Sequence, residues 1–128
     1  MKTNFQKLIG TAVLGLAMFS QSLPAWAGLK STPEVTVAPN YALGSTVGAR
    51  YSADSKQYIG CSFETTNGPS VVCFAQDKTG KSYVCYKNSA TWATVAKGIT
   101  DFSLINFGGD TAGSCDILIV EDHSSHLK

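Results

Sequence analysis

Four cysteines and two histidines are the residues of this 128-residue chain best suited to metal, thiol or imidazole chemistry. Cys61, Cys73, Cys85 and Cys115 follow one another at intervals of 12, 12 and 30 residues. A thiolate zinc centre normally contains a close pair such as C-x2-C, because two sulfurs must converge on one small tetrahedral ion. A dithiol redox couple needs C-x-x-C for a similar reason. Neither spacing occurs, so the cysteines read as two structural disulfides. His123 and His126 lie in "EDHSSH" beside Glu121 and Asp122. Imidazole with carboxylate suits a borderline divalent ion, which makes this cluster the alternative metal site. The plainer reading is a solvated polar tail.

Nucleophilic catalysis requires a base beside an activated Ser, Thr or Cys, and both histidines belong to that tail. Asp101, Asp110, Asp116 and Glu121 are spread along the end of the chain, with no spacing that singles out an acid and a base. The sequence therefore points away from an enzyme and implies no cofactor. "GGDTAG", Gly108 to Gly113, is glycine-rich but lies between two expected strands. It lacks the helix N-terminus of a phosphate cradle and reads as a long hairpin turn, with Asp110 in a candidate recognition loop.

Lys2 and Lys7 flank a short polar start that runs into the apolar stretch Leu8 to Phe19, and "PAWAG" follows with Ala25 and Ala27 at small-residue cleavage positions. Residues 1–27 are thus expected to be a signal peptide cut after Ala27, sending the rest to the periplasm or outside the cell. The apolar stretch is shorter than the roughly 20 residues of a membrane span. Gly28, rather than a cysteine, follows the cut, which disfavours a lipid anchor. Removing 27 of 128 residues leaves 101, with eight basic against nine acidic side chains and a formal charge of −1. That balance provides no basic field for nucleic acid and no cationic helix for a membrane surface.

Residues 28–45 carry two prolines and no sustained period, so they read as an extended arm with one short edge strand near Val35 to Val37. The domain is expected over residues 46–128. Val47, Ala49 and Tyr51 alternate as in a strand; Gln57 to Glu64, Val71 to Asp77 and Ser82 to Lys87 continue as a meander. Trp92, Val95, Ala96 and Ile99 recur at helical spacing, with Asn88 or Ser89 to cap the start and Gly98 the end. Phe102 to Phe107 and Cys115 to Glu121 close the chain as two strands.

A three-residue loop Lys78-Thr79-Gly80 sets opposed pairs that sum to 158, placing Cys73 opposite Cys85. A five-residue loop Thr65 to Pro69 gives 134 and places Cys61 opposite Cys73. Cys61 and Cys85 are then two strands apart, about 9 to 10 Å, beyond disulfide reach. Two pairings remain: Cys61–Cys73 with Cys85–Cys115, which we favour because the second ties the last hairpin to the meander, or Cys73–Cys85 with Cys61–Cys115. The same parity groups Ile59, Phe63, Val71, Ala75 and Tyr83 with the cysteines, the side on which the helix should pack. Tyr58, Phe74 and Tyr86 fall on the reverse face among small polar residues, suited to a sugar or a partner protein. Burial under a second layer, formed by the arm or the last hairpin, is the competing fate of that face.

The block "KSYVCYKNSATWATVAKGITDFSLINFGGDTAGSCDILIV" runs strand with cysteine, short helix, strand, turn, strand starting with cysteine. It resembles small exported bacterial proteins of unknown function. The resemblance spans about the last half of the chain and implies architecture and export; it transfers no activity and no site residue. The expected fold is α+β: an antiparallel β-meander sheet of five to six strands, one short helix packed on one face, and two disulfides. The expected function is non-enzymatic binding of an extracellular or periplasmic protein or glycan through Tyr58, Phe74, Tyr86 and the Asp110 loop. The alternatives are a small metal-dependent or hydrolytic enzyme using the acidic and histidine-bearing C-terminal hairpin, or a structural component of an envelope or matrix.

Overall fold

A computed structural model describes residues 32–122 and residue 124. The proposed signal peptide, His123 and His126 lie outside the described residues. The central meander follows from its turns. Lys78, Thr79 and Gly80 join β4 (Ser70–Gln76) to β5 (Ser82–Asn88), with Gly80 at φ 91° in the left-handed region. Asp77 closes this loop: its Oδ1 accepts from Thr79 N, Thr79 Oγ1 and Lys81 N, and Asp77 N donates to Lys81 O at 2.9 Å. The resulting register places Cys73 opposite Cys85, and β3 (Tyr58–Glu64) adds on the other side with Cys61 opposite Cys73. Both expected registers hold. The bonds join Cys61 to Cys73 and Cys85 to Cys115.

The single meander sheet does not hold. β3, β4 and β5 form a three-stranded sheet by themselves, and a second sheet has the order β1-β2-β6-β7. Its strands are β1 (Thr36–Val37), β2 (Tyr41–Ser45), β6 (Leu104–Gly109) and β7 (Cys115–Glu121). β2 pairs along its whole length with β6, from Tyr41 opposite Gly108 to Ser45 opposite Leu104. Residues 36–45 are therefore a working part of the domain, with only β1 keeping the expected edge position. A pairing between segments some 60 residues apart leaves no trace in turn signals or local period, which is why residues 28–45 read only as an extended arm with one short edge strand.

Val47, Ala49 and Tyr51 also depart from expectation, since α1 (Thr46–Arg50) is a helical turn and not a strand. Ser45 caps it, its Oγ accepting from Gly48 N at 2.7 Å. Gly48 permits the close approach of Pro33, whose carbonyl oxygen would lie 2.5 Å from a Cβ there. α2 (Ala90–Lys97) starts at the Ser89 cap and ends at Gly98, as expected. Its buried positions, however, are Ala93 and Ala96, flanked by partly buried Trp92 and Ile99, while Val95 faces outward at 38% exposure. Two alanines let the helix sit directly on the disulfide-bearing face, and the stripe rotates toward them.

The core lies between the two sheets and α2. Tyr83 of the meander stacks on Phe107 of the second sheet, centroids 5.8 Å apart, amid Val71, Cys73, Cys85 and Ile105. Ile59, Val71, Ala75 and Tyr83 are buried on the cysteine side as expected. Phe63 is the exception at 47% exposure; it sits at the open end of β3 with Lys97 Nζ 5.3 Å above its ring. Among the described residues no helix is long and apolar enough to cross a membrane.

Candidate functional site

Because the second sheet and α2 both pack on the cysteine side, nothing among the described residues covers the reverse face of the meander. The covering layer foreseen as an alternative is spent elsewhere. Val84 is 52% and Tyr86 54% exposed, with Tyr58 and Val72 close behind. Phe74 is half-buried and lies between Gly60 and Val84; the missing Cβ of Gly60 leaves room for its ring, whose Cε2 would be 3.7 Å away. Tyr58 leans on it at 6.1 Å between centroids, tilted by 57°, a favourable aromatic geometry. Tyr86 stands opposite Val72. The structure thus brings Tyr58, Phe74 and Tyr86 onto one open surface. Of its twelve outward positions only Glu64 is charged; serines, Gln76 and Asn88 supply the remaining polarity.

The fourth expected residue, Asp110, has a different geometry. Its Oδ1 accepts from Ala112 N at 3.0 Å and Ser114 N at 2.9 Å, so that oxygen is committed to shaping its own loop. Its backbone carbonyl accepts from the Tyr83 hydroxyl at 3.5 Å. Burial, and then the nearby Asp110 charge, raise the Tyr83 phenol above its ordinary pKa. The loop clips onto the free edge of β5, where Tyr86 N donates to Gly113 O at 2.8 Å. It therefore borders the aromatic face with one oxygen of the Asp110 carboxylate held inside the loop.

The acidic C-terminal hairpin shows no metal-binding geometry among the described residues, where no three His, Cys, Asp or Glu side chains converge. Asp122, beside the two histidines in sequence, accepts from Ser103 Oγ and from Thr100 Oγ1, which fastens the end of β7 to the loop before β6. All four cysteines are oxidised.

Sequence reasoning missed the concave surface beside β7. Gly108 pairs with Ile117 but Gly109 with Cys115, so Asp116 is an extra residue and β7 bulges there. The bulge aims the Asp116 carboxylate toward Lys87, Oδ1 to Nζ 3.7 Å, and the same ammonium lies 6.0 Å from the centre of the Trp92 ring. Two cavities of about 390 and about 330 Å³ share Asp116 and Ile117 as a common wall. Tyr41 and Asn106 line the first, and Trp92 and Val95 of α2 the second. The only signal in the sequence was the unequal count across "GGDTAGSCD", which the glycine-rich turn concealed.

No family model, characterised protein or solved structure matches the chain.

Proposed function

We propose that this chain is an exported, non-enzymatic binding module whose partner, a protein or a glycan, is recognised on the outward face of β3, β4 and β5. One observation carries the reading: Tyr58, Val72, Val84 and Tyr86, with half-buried Phe74 among them, stand on a face that no other described element covers. Tyrosines give such a face large rigid contact area at small entropic cost, and its serine and amide groups give adaptable hydrogen bonds. The two disulfides suit an oxidising compartment, in keeping with export ahead of Gly28. The near absence of charge on the face favours neutral partners over nucleic acid or acidic lipid.

The test is retention of a partner from culture extract on immobilised protein, comparing the parent with Tyr86→Ala and Phe74→Ser. Both variants are expected to keep the parent's far-ultraviolet circular dichroism and cooperative urea unfolding and to lose the retained component. Folded variants that retain it unchanged would remove this face from the function. Unfolding of both would show the face to be core.

A further inference from the structure

We propose that Asn67 is a site of spontaneous covalent modification, at which the folded domain converts a neutral carboxamide into aspartate and isoaspartate while the meander keeps its register. The inference is independent of the binding face proposed above. The loop "TTNGP", residues 65–69, joins β3 to β4 and is exposed at every position. Gly68 N donates to Thr65 O at 3.3 Å, longer than a typical N–H···O bond, and closes a turn with Asn67 as its third residue. Asn in a turn commonly binds nearby backbone through its side chain. Asn67 does not: among the described residues nothing hydrogen-bonds to its carboxamide. The group is left free to meet the backbone nitrogen that follows it.

Attack of Gly68 N on Asn67 Cγ closes a five-membered succinimide. The Cγ–Nδ2 bond breaks, the Gly68 N proton passes to the leaving group, and ammonia departs. Water then opens the ring. Addition at Cγ gives aspartate; addition at the main-chain carbonyl carbon gives isoaspartate, with the backbone rerouted through Cβ and Cγ and one atom longer. Water is the sole co-reactant. A side chain on the following residue crowds this ring closure, and Gly68 has none. A Cβ placed there would meet nothing within 4 Å, so its neighbours leave the site open as well. The other described asparagines, Asn40, Asn88 and Asn106, precede Tyr41, Ser89 and Phe107. Tyr41 and Phe107 lie in paired strands, and Ser89 caps α2. One extra backbone atom can be taken up by the loop, because seven cross-strand pairs and the Cys61–Cys73 bond hold β3 against β4. The new negative charge falls in the loop that follows Glu64.

Incubation of the oxidised full chain at mildly alkaline pH, followed by peptide mapping in a mass spectrometer against synthetic aspartate and isoaspartate standards, tests the assignment. Asn67 is expected to convert about tenfold faster, or more, than Asn40, Asn88 or Asn106, because it alone is followed by glycine. The rate should rise with pH as hydroxide removes the Gly68 N proton. Asn67→Gln, in which attack must close a six-membered ring, should lose the reaction at that position. The converted protein, separated by ion exchange, should unfold at the parent's urea midpoint. Conversion of Asn67 no faster than that of the other three asparagines overturns the proposal. So does conversion confined to urea-unfolded chain, which would mean that the fold withholds the site. A lowered midpoint in the converted protein overturns the claim that the meander keeps its register.

Discussion

Removing the Cys85–Cys115 bridge by paired alanine substitution should cost more stability than removing Cys61–Cys73, and the difference can be worked out beforehand. The bridges close loops of 30 and 12 residues. Chain-entropy cost rises with the logarithm of loop length, which gives about 3.6 kcal/mol for the longer loop and about 2.8 kcal/mol for the shorter. Structure widens the gap. Cys61 and Cys73 oppose each other inside a hairpin already held by seven cross-strand pairs, whereas Cys85–Cys115 is the covalent link between the two sheets. Cys85 and Cys115 are also both fully buried, so their loss opens space in the core, while Cys61 is only partly buried. Urea unfolding followed by circular dichroism measures both effects. With a slope of about 1 kcal/mol/M the midpoint should fall by about 3.6 M or more for Cys85→Ala/Cys115→Ala, against about 2.8 M for the other pair. The slope should rise in both, because an uncrosslinked unfolded chain exposes more surface. Removing both bridges takes away about 6 kcal/mol, comparable with the whole stability of a small domain, and should abolish folding. An equal or larger loss for Cys61→Ala/Cys73→Ala would refute the reasoning, showing that the hairpin and not the joint between sheets is the weak point.

Three further perturbations have defined outcomes. The Asp54 carboxyl is held at about 2, from an ordinary 3.8, mainly by the Gln57 side chain and then by Lys56 N, so its stabilising effect is complete above pH 3.8 and is lost as pH falls toward 2. Asp54→Asn should accordingly show a shallower fall in urea midpoint than the parent across that window, and parallel curves would sink the assignment. Gly109→Ala would drive a Cβ into the Ser114 carbonyl oxygen, which is backbone and cannot swing away. It should cost about 1 to 3 kcal/mol by the same assay, with amide shifts centred on residues 108–117. Ser45→Ala removes a fully buried acceptor from Gly48 N and should cost about 1 to 2 kcal/mol; a neutral result would mean that Thr46, whose N and Oγ1 both donate to Ser103 O, holds the turn alone.

The meander was legible because its determinants are local. Gly80 and Asp77 fix one turn, a five-residue loop fixes the other, and index sums then place Cys61, Cys73, Cys85 and the aromatics of the meander on their sides. Ser89 and Gly98 marked the ends of α2 in the same way, by capping chemistry. The second sheet was illegible because its central pairing joins Tyr41–Ser45 to Leu104–Gly109, and neither partner announces the other. α1 was misread because five residues are too few to separate a period of 2 from one of 3.6 when Val47 and Ala49 are both buried. The aromatic face could be drawn from the sequence, but whether it was open depended on where β6 and β7 went. The groove at Asp116 needed the bulge, and a bulge is a mismatch between two strands, invisible in either alone.

The distribution of side-chain sizes explains how so small a domain leaves two surfaces open. Its interior is built largely from small residues: Ala42, Ala75, Ala93, Ala96 and the cysteines, with Phe107 and Tyr83 the large aromatic rings among the core residues. Tyr41, Tyr58 and Tyr86 lie outside at 40 to 54% exposure. A core of this composition buries modest apolar area, and hydrophobic stabilisation follows that area at about 25 cal/mol per Å². The two disulfides must then supply a large part of the stability that the exposed rings would have supplied if buried. This couples the first prediction to the proposed function. If the cross-links carry the fold, substitutions at Tyr58 and Tyr86 remove little that holds it together, and loss of the partner in those variants reports on recognition. If instead the bridges prove expendable, the outward rings must be contributing packing that the open faces do not reveal, and the same variants should melt before they lose a ligand.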